Sequence, residues 1–262
     1  MAHERTMILC ALVALALICG AAAEPDPAAG LLGVWACDDA LLTVASGEDG
    51  LTVYILRDDS VTERVEWFYP GAAYDEESGG LRCSANGVEL RTAYGPGGEE
   101  GVAEQVYADG SAVFARDGGD GLVWTDLREE PAVETAFARA LPIPEAFEGA
   151  WVAQDGSILY IVPVGERALC LLWNRDFTVR WLYSAAVYSP AENALVTLAV
   201  GAKTRIEIDG ETGAYKTYEH EYTGGRAVFA LEGADRLLWT ENAAGGGDAV
   251  AFDRFEAEQP AG

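Results

Sequence analysis

The chain has 262 residues, with 17 Lys and Arg against 43 Asp and Glu, and a formal net charge of −26. So acidic a balance argues against DNA, RNA and anionic membrane surfaces as partners, because phosphate binding needs clustered Lys and Arg. It suits solubility in an extracellular medium and leaves a cationic or Ca²⁺-bearing partner open.

In chain order, the first element is a leader. His3 and Arg5 precede an apolar run from Met7 to Ile18, and Gly20-Ala21-Ala22-Ala23 follows. That is the charged, apolar and small-residue order of a secretory signal peptide, so residues 1–23 are read as removed and the product as secreted or held in a bacterial cell envelope. The run is shorter than the about 20 residues of a transmembrane helix, and no later segment qualifies, so no membrane span is expected. Lipidation at Cys19 would need small residues before it, where Leu17-Ile18 stand. Cys10 and Cys19 leave with the leader. Cys37, Cys83 and Cys170 remain, which excludes a disulfide scaffold but leaves open one Cys37–Cys83 bridge or buried free thiols.

After the leader, alternation of period two dominates. Leu51–Leu56, Arg64–Tyr69 and Ser111–Ala115 read as strands rich in β-branched and aromatic residues. Glu48-Asp49-Gly50, Ser78-Gly79-Gly80, Asn86-Gly87, Asp109-Gly110 and Asp117–Gly121 read as hairpin turns, where Gly, Asn and Asp tolerate positive φ.

The second half repeats the first. Gly33-Val34-Trp35 matches Gly149-Ala150-Trp151, and Val53, Ile55 and Arg57 match Leu169, Leu171 and Trp173 at the same offset. Trp67, Tyr69, Tyr74 and Leu81 match Trp181, Tyr183, Tyr188 and Leu195. Near the end, Val113-Phe114-Ala115, Leu122, Trp124-Thr125, Phe137 and Arg139 match Val228-Phe229-Ala230, Leu237, Trp239-Thr240, Phe252 and Arg254. Order and spacing hold from end to end, the mark of one duplicated unit. Short, regularly spaced strands without a long amphipathic helix predict an all-β chain of two tandem, small, antiparallel up-and-down β-barrels. They would occupy residues 24–140 and 147–262, joined by a short linker over 141–146 that carries Pro142 and Pro144.

A Gly-x-Trp on the first strand and a basic residue on the last resemble the lipocalin (calycin) signature. Gly33, Trp35 and Arg139, and then Gly149, Trp151 and Arg254, match it in place and order. The resemblance implies that each tryptophan closes the floor of its barrel, with the arginine of the same unit packed across the indole. The units are shorter than lipocalins and lack a C-terminal helix, which speaks against a large lipid cavity. The pattern is also similar to secreted bacterial proteins built from lipocalin-like repeats, a likeness that implies no activity.

Past the leader the chain has a single histidine, His220, within Tyr218-Glu219-His220-Glu221-Tyr222. No nucleophile-elbow motif accompanies it, and the cysteines lack metal-ligand spacing. Glu104/Glu219 and Asp120/Asp235 recur in both units, the aspartates in turns and the glutamates on a strand. Neither the Asp117–Asp120 run nor Asp209-Gly210-Glu211 follows EF-hand spacing. No catalytic residue, metal or cofactor is therefore assigned. Core packing accounts for most of the aromatic set. The candidates for ligand contact are Trp67 and Tyr69 in the first unit, and Trp173, Trp181, Tyr183 and His220 in the second. The expected function is a secreted or envelope-associated, non-catalytic binding module for a small apolar or glycan ligand. The alternative is an interaction protein with filled barrels that binds a protein partner through its outer surface. Barrel volume separates the two.

Overall fold

The computed structural model describes residues 26–47, 50–60, 63–94, 100–118, 120–128, 131–197, 201–209, 211–212, 215–241 and 248–255. The leader, Cys10 and Cys19 lie outside them. The first eight strands form one closed antiparallel barrel: β1 (Gly33–Ala36), β2 (Ala40–Gly47), β3 (Gly50–Ser60), β4 (Glu63–Asp75), β5 (Gly80–Tyr94), β6 (Glu100–Asp117), β7 (Gly121–Asp126) and β8 (Val133–Arg139). Each pairs with its neighbour in sequence, and β8 returns to β1 through Trp35 opposite Arg139.

The second unit repeats this with ten strands: β9 (Gly149–Ala153), β10 (Ile158–Val164), β11 (Arg167–Trp173), β12 (Val179–Ser189), β13 (Ala194–Thr197), β14 (Gly201–Ile208), β15 (Tyr215–Gly225), β16 (Ala227–Leu231), β17 (Arg236–Glu241) and β18 (Val250–Arg254). One edge of β12 carries β14 over Val179–Tyr183 and β13 over Ala186–Ser189. Strands β13 and β14 together therefore do the work of β5, and β15 and β16 that of β6. The wall closes in eight positions through β11–β12 and β18–β9. The chain is two eight-stranded antiparallel barrels in tandem, and no described residue lies in an α-helix.

Alternation sets the core. On β7, Leu122, Trp124 and Asp126 turn inward, and on β11, Ala168, Cys170 and Leu172 do so. Each barrel encloses its own cluster, one around Trp35, Tyr69 and Phe114 and one around Trp151, Tyr183 and Phe229. Cys37, Cys83 and Cys170 are free thiols, and burial pushes Cys83 up to about 12.

Two of the expected turns are not turns. Gly87 and Gly110 face each other in the middle of β5 and β6, flanked by register shifts. A side chain at Gly87 would stand 2.4 Å from the Tyr69 ring, and one at Gly201 would stand 2.6 Å from the ring of Tyr183. Gly201 in turn faces Gly225. A facing glycine pair thus seats the buried tyrosine in both barrels. This is the use of glycine for close approach within a strand.

The linker is part of the packing. Leu141 bridges to Tyr188, and a 3-10 turn over Glu145–Phe147 sends Phe147 into the second core beside Tyr188. Between the barrels, Val34, Leu41 and Ala140 pack on Ala185 and Val187. Arg226 adds a hydrogen bond to the Asp38 carbonyl at 3.4 Å. No described helix is long and apolar enough to cross a membrane.

Candidate functional site

At the floor of barrel 1 the Trp35 indole donates to the Leu31 carbonyl at 3.0 Å. The Arg139 guanidinium lies 4.9 Å from the centre of that ring and donates to the carbonyls of Gly30 (3.0 Å) and Leu32 (2.6 Å). Barrel 2 repeats the arrangement. Trp151 donates to Phe147 at 3.1 Å, and Arg254 stands 4.3 Å from the ring and donates to the Glu148 carbonyl at 3.0 Å and to that of Ala146. Gly33 and Gly149 hold φ of 117° and 120°, a region open to glycine. A side chain at Gly33 would also meet Arg139 at 3.1 Å. The floors are plugs whose hydrogen bonds are already made.

A second cluster lies further along each barrel. In barrel 1, Trp67 and Tyr69 on β4 meet Trp124 and Phe114, edge to face, with ring centres 5.0 and 5.5 Å apart. The same pairs in barrel 2 are Trp181–Trp239 at 5.4 Å and Tyr183–Phe229 at 5.6 Å. Acids hold the indoles: Trp67 donates to Glu89 at 3.2 Å and Trp181 to Glu241 at 3.1 Å. Tyr107 donates to Asp126 at 3.2 Å. Cations complete the clusters, with Arg57 at 4.9 Å over the Trp67 ring and Arg91 at 3.1 Å from Glu89. In barrel 2, Lys203 sits 5.2 Å over Trp181 and 2.8 Å from Glu221. Glu89 and Lys203 are equivalent, since each faces its tryptophan across the ladder. The same position therefore carries an acid in one barrel and a base in the other.

Four buried donors in these clusters, the Tyr69 and Tyr183 hydroxyls and the Trp124 and Trp239 indoles, make no well-formed hydrogen bond among the described residues, each hydroxyl lying beside the indole of its own cluster. Desolvation pushes both tyrosine hydroxyls far above their ordinary range. Burial likewise raises the Glu241 carboxyl, while the Lys203 hydrogen bond lowers that of Glu221.

Trp67 and Tyr69 thus come together in one cluster, and Trp181 and Tyr183 in the other. Trp173 does not join them. Trp35 faces Leu42 and through it Ile55, whereas Trp151 faces Leu159 and through it Leu172. The equivalent of Trp173 is therefore Leu56, and the match to Arg57 is one residue out of register. A slip of one residue reverses the face. Trp173 lies on the outer wall, where it packs with Phe177 and Arg180. The backbone of His220 pairs with Thr204, and its side chain lies outside the described residues. Glu104, Glu219, Asp120 and Asp235 are exposed. Asp209 accepts bonds from Glu211 and Thr212 as a turn former.

Asp126 and Glu241, like Glu89 and Lys203, are site residues that the sequence reading passed over, and for Asp126 and Glu241 a signal existed. The repeated Trp-Thr is followed in both units by an acid, two positions from the tryptophan and so on the same strand face.

Two open depressions lie at the β11–β12 turn, beside Asp176, Thr178 and Arg205, and along β9 and β18, beside Gln154, Asp253 and Phe255. Neither is lined by a core tryptophan or tyrosine. Among the described residues no three His, Cys, Asp or Glu side chains converge as a metal site. Comparison of the chain with family models, curated proteins and solved structures returns no match.

Proposed function

We propose that the protein is a secreted or envelope-associated, non-catalytic interaction protein whose barrels are structural and whose outer surface binds a protein partner. The observation that supports this reading is the filling of both interiors. Trp35, Tyr69, Phe114, Trp151, Tyr183 and Phe229 are all buried within their clusters. A barrel of eight strands is just wide enough to be filled by its own side chains, and a filled barrel has no room for a ligand. The calycin-like floors, with Gly33, Trp35 and Arg139 repeated as Gly149, Trp151 and Arg254, support a scaffold built for closure. Native mass spectrometry of protein purified from its own host tests the reading. A chain free of small molecules is expected, and a stoichiometric small molecule released on denaturation would overturn it. Glycosidase, esterase and peptidase substrates are expected to give no turnover. Turnover lost in His220→Gln or Glu219→Gln would defeat the non-catalytic reading.

One observation favours a second reading, a small polar or glycan ligand at the upper cluster. The Tyr183 hydroxyl and the adjacent Trp239 indole, neither with a well-formed hydrogen bond among the described residues, are the kind of donors that a bound molecule satisfies. A saturable change in tryptophan fluorescence with an oligosaccharide panel, lost in Trp181→Phe, would favour it over the first.

A further inference from the structure

Near its mouth, part of the barrel 1 wall is closed by side chains and not by a ladder. β6 runs unbroken from Glu100 to Asp117, but β7 pairs with it only from Ala112, opposite Asp126, to Asp117, opposite Gly121. One further backbone bond, from the Leu127 amide to the Ser111 carbonyl, ends the contact. From Ser111 toward the mouth, no strand lies on that side of β6 among the described residues. On its other side β5 still pairs with β6, through Tyr107 opposite Glu89 and Gln105 opposite Leu90. A stretch without ladder bonds opens more readily than the paired wall around it.

Three contacts bridge this seam, and all of them reach the end of β7. Tyr107 of β6 turns inward and donates to Asp126 at 3.2 Å, and the other oxygen of that carboxylate accepts the Arg128 amide at 3.0 Å. The Arg128 guanidinium stands 4.5 Å from the centre of the Tyr107 ring and is ion-paired with Asp109. Tyr107 is thus a leaf across the gap, pinned at its hydroxyl by Asp126 and on its face by Arg128. Gly110 makes room for the leaf, since a side chain there would stand 2.4 Å from the ring. The two pins differ. Asp126 is buried, whereas the Arg128 and Asp109 side chains are 46 and 72% exposed, and an exposed ion pair contributes little.

Behind the leaf lie donors that make no well-formed hydrogen bond among the described residues. The Tyr69 hydroxyl sits against the Tyr107 hydroxyl and the Trp124 indole, within reach of the Asp126 charge. Buried donors in that state gain from any water or polar solute that reaches them. The leaf therefore stands between solvent and groups that would bind it.

We infer that Tyr107 is a gate into barrel 1, latched by Arg128 and Asp109, which opens by side-chain motion and admits water and small polar solutes to Tyr69 and Trp124. In the second unit the leaf position is kept as Tyr222, but Ala243 and Gly224 replace Arg128 and Asp109, on the offset that carries Trp124 to Trp239. The latch pair thus belongs to barrel 1 alone, and barrel 2 is expected to open more often. The gate goes beyond the surface-binding reading, and its failure leaves that reading intact. It also supplies the way in that a ligand at the upper cluster needs.

The test is exchange of the indole N–H protons in heavy water, followed by NMR on protein isotope-labelled in tryptophan, where each indole gives its own signal. The Trp35 and Trp151 indoles are bonded to the Leu31 and Phe147 carbonyls and serve as references. Trp239 is expected to exchange fastest, Trp124 next and the two floor indoles slowest. Arg128→Met should speed Trp124 about tenfold, through joint loss of the ion pair and the ring contact. Tyr107→Ala should take it further. Trp35 reports on the same barrel, so a variant that merely unfolds moves both signals together. Trp35 accelerating alongside Trp124 in Arg128→Met, or a Trp124 rate indifferent to both variants, would overturn the gate. So would Trp124 exchanging faster than Trp239, because the latched barrel would then be the more open one.

Discussion

Barrel 1 and barrel 2 share their aromatic cores and floors, apart from the exchange of Glu89 for Lys203, and differ on their outer walls. Trp35, Tyr69, Phe114 and Trp124 recur as Trp151, Tyr183, Phe229 and Trp239, with the same ring contacts and the same floor hydrogen bonds. The wall positions Thr43, Ala45 and Thr52 recur as Tyr160, Val162 and Leu169. After a duplication, the core is held by the requirement to close a barrel, and the outer surface is free to take on different contacts. The difference thus teaches where to look for function: on the surface that changed.

The largest expected effect would break the comparison if it failed. Trp35→Ala and Trp151→Ala should each cost about 3–5 kcal/mol, as buried aromatic truncations do. Each should melt its own barrel first in calorimetry, because the core clusters are separate and the barrels meet through a small apolar patch, the Leu141–Tyr188 bridge and the Arg226–Asp38 hydrogen bond. One shared transition for either variant would show that the barrels are fused in energy as well as in sequence.

Next come the floor arginines. Arg139→Met and Arg254→Met each remove two hydrogen bonds from a charged donor and a ring contact, and about 2 kcal/mol is expected from each in chemical denaturation. Arg→Lys should recover little, since a single ammonium does not reproduce the forked donation to two carbonyls. Unequal losses in the two barrels would mark one floor as vestigial.

Smaller still is the effect of Val187→Asp at the inter-barrel contact. It is expected to lower the second transition and leave the first within a degree or two. Equal displacement of both would reveal stronger coupling.

The smallest effect sharpens the contrast between Glu89 and Lys203. Glu241 has a raised carboxyl in the folded state, so its contribution favours folding while it is protonated and is lost as pH rises through its folded value. Glu221 is lowered by Lys203, so its contribution is present above the ordinary glutamate range and is lost as pH falls. Glu241→Gln should therefore stabilise barrel 2 at neutral pH, and Glu221→Gln should destabilise it there. Urea midpoints at pH 4 and pH 7 check both signs.

Much of this architecture was legible in the sequence because it rests on local rules. The alternation on β4 and β7, the turns at Ser78–Gly80 and Asp117–Gly121, and the repeated Gly-x-Trp all follow from strand and turn chemistry. The errors came where local signals have two meanings. Asn86-Gly87 and Asp109-Gly110 carry hairpin residues, but the glycines were selected to admit the rings of Tyr69 and Tyr107. Ile158–Val164 is apolar on both faces, so its pattern could not say which face was the wall. The placement of Trp173 depended on a one-residue offset that only the ladder from Trp151 resolves. The upper clusters were half legible: their aromatics repeat, whereas Glu89 and Lys203 differ in charge and so left no trace as a pair.

The arginine latch also has a mechanical consequence. Arg139 reaches back across 107 residues to the Leu32 carbonyl, and β1 and β8 are antiparallel, so the two ends of the unit leave from the same side. Tension on the chain would then peel these strands apart from the floor, one bond at a time, instead of shearing them along their length. The latch is the first element to carry the load. Once the latch has yielded and the remaining strands have unzipped in turn, the unfolded unit would span roughly 350 Å at full extension.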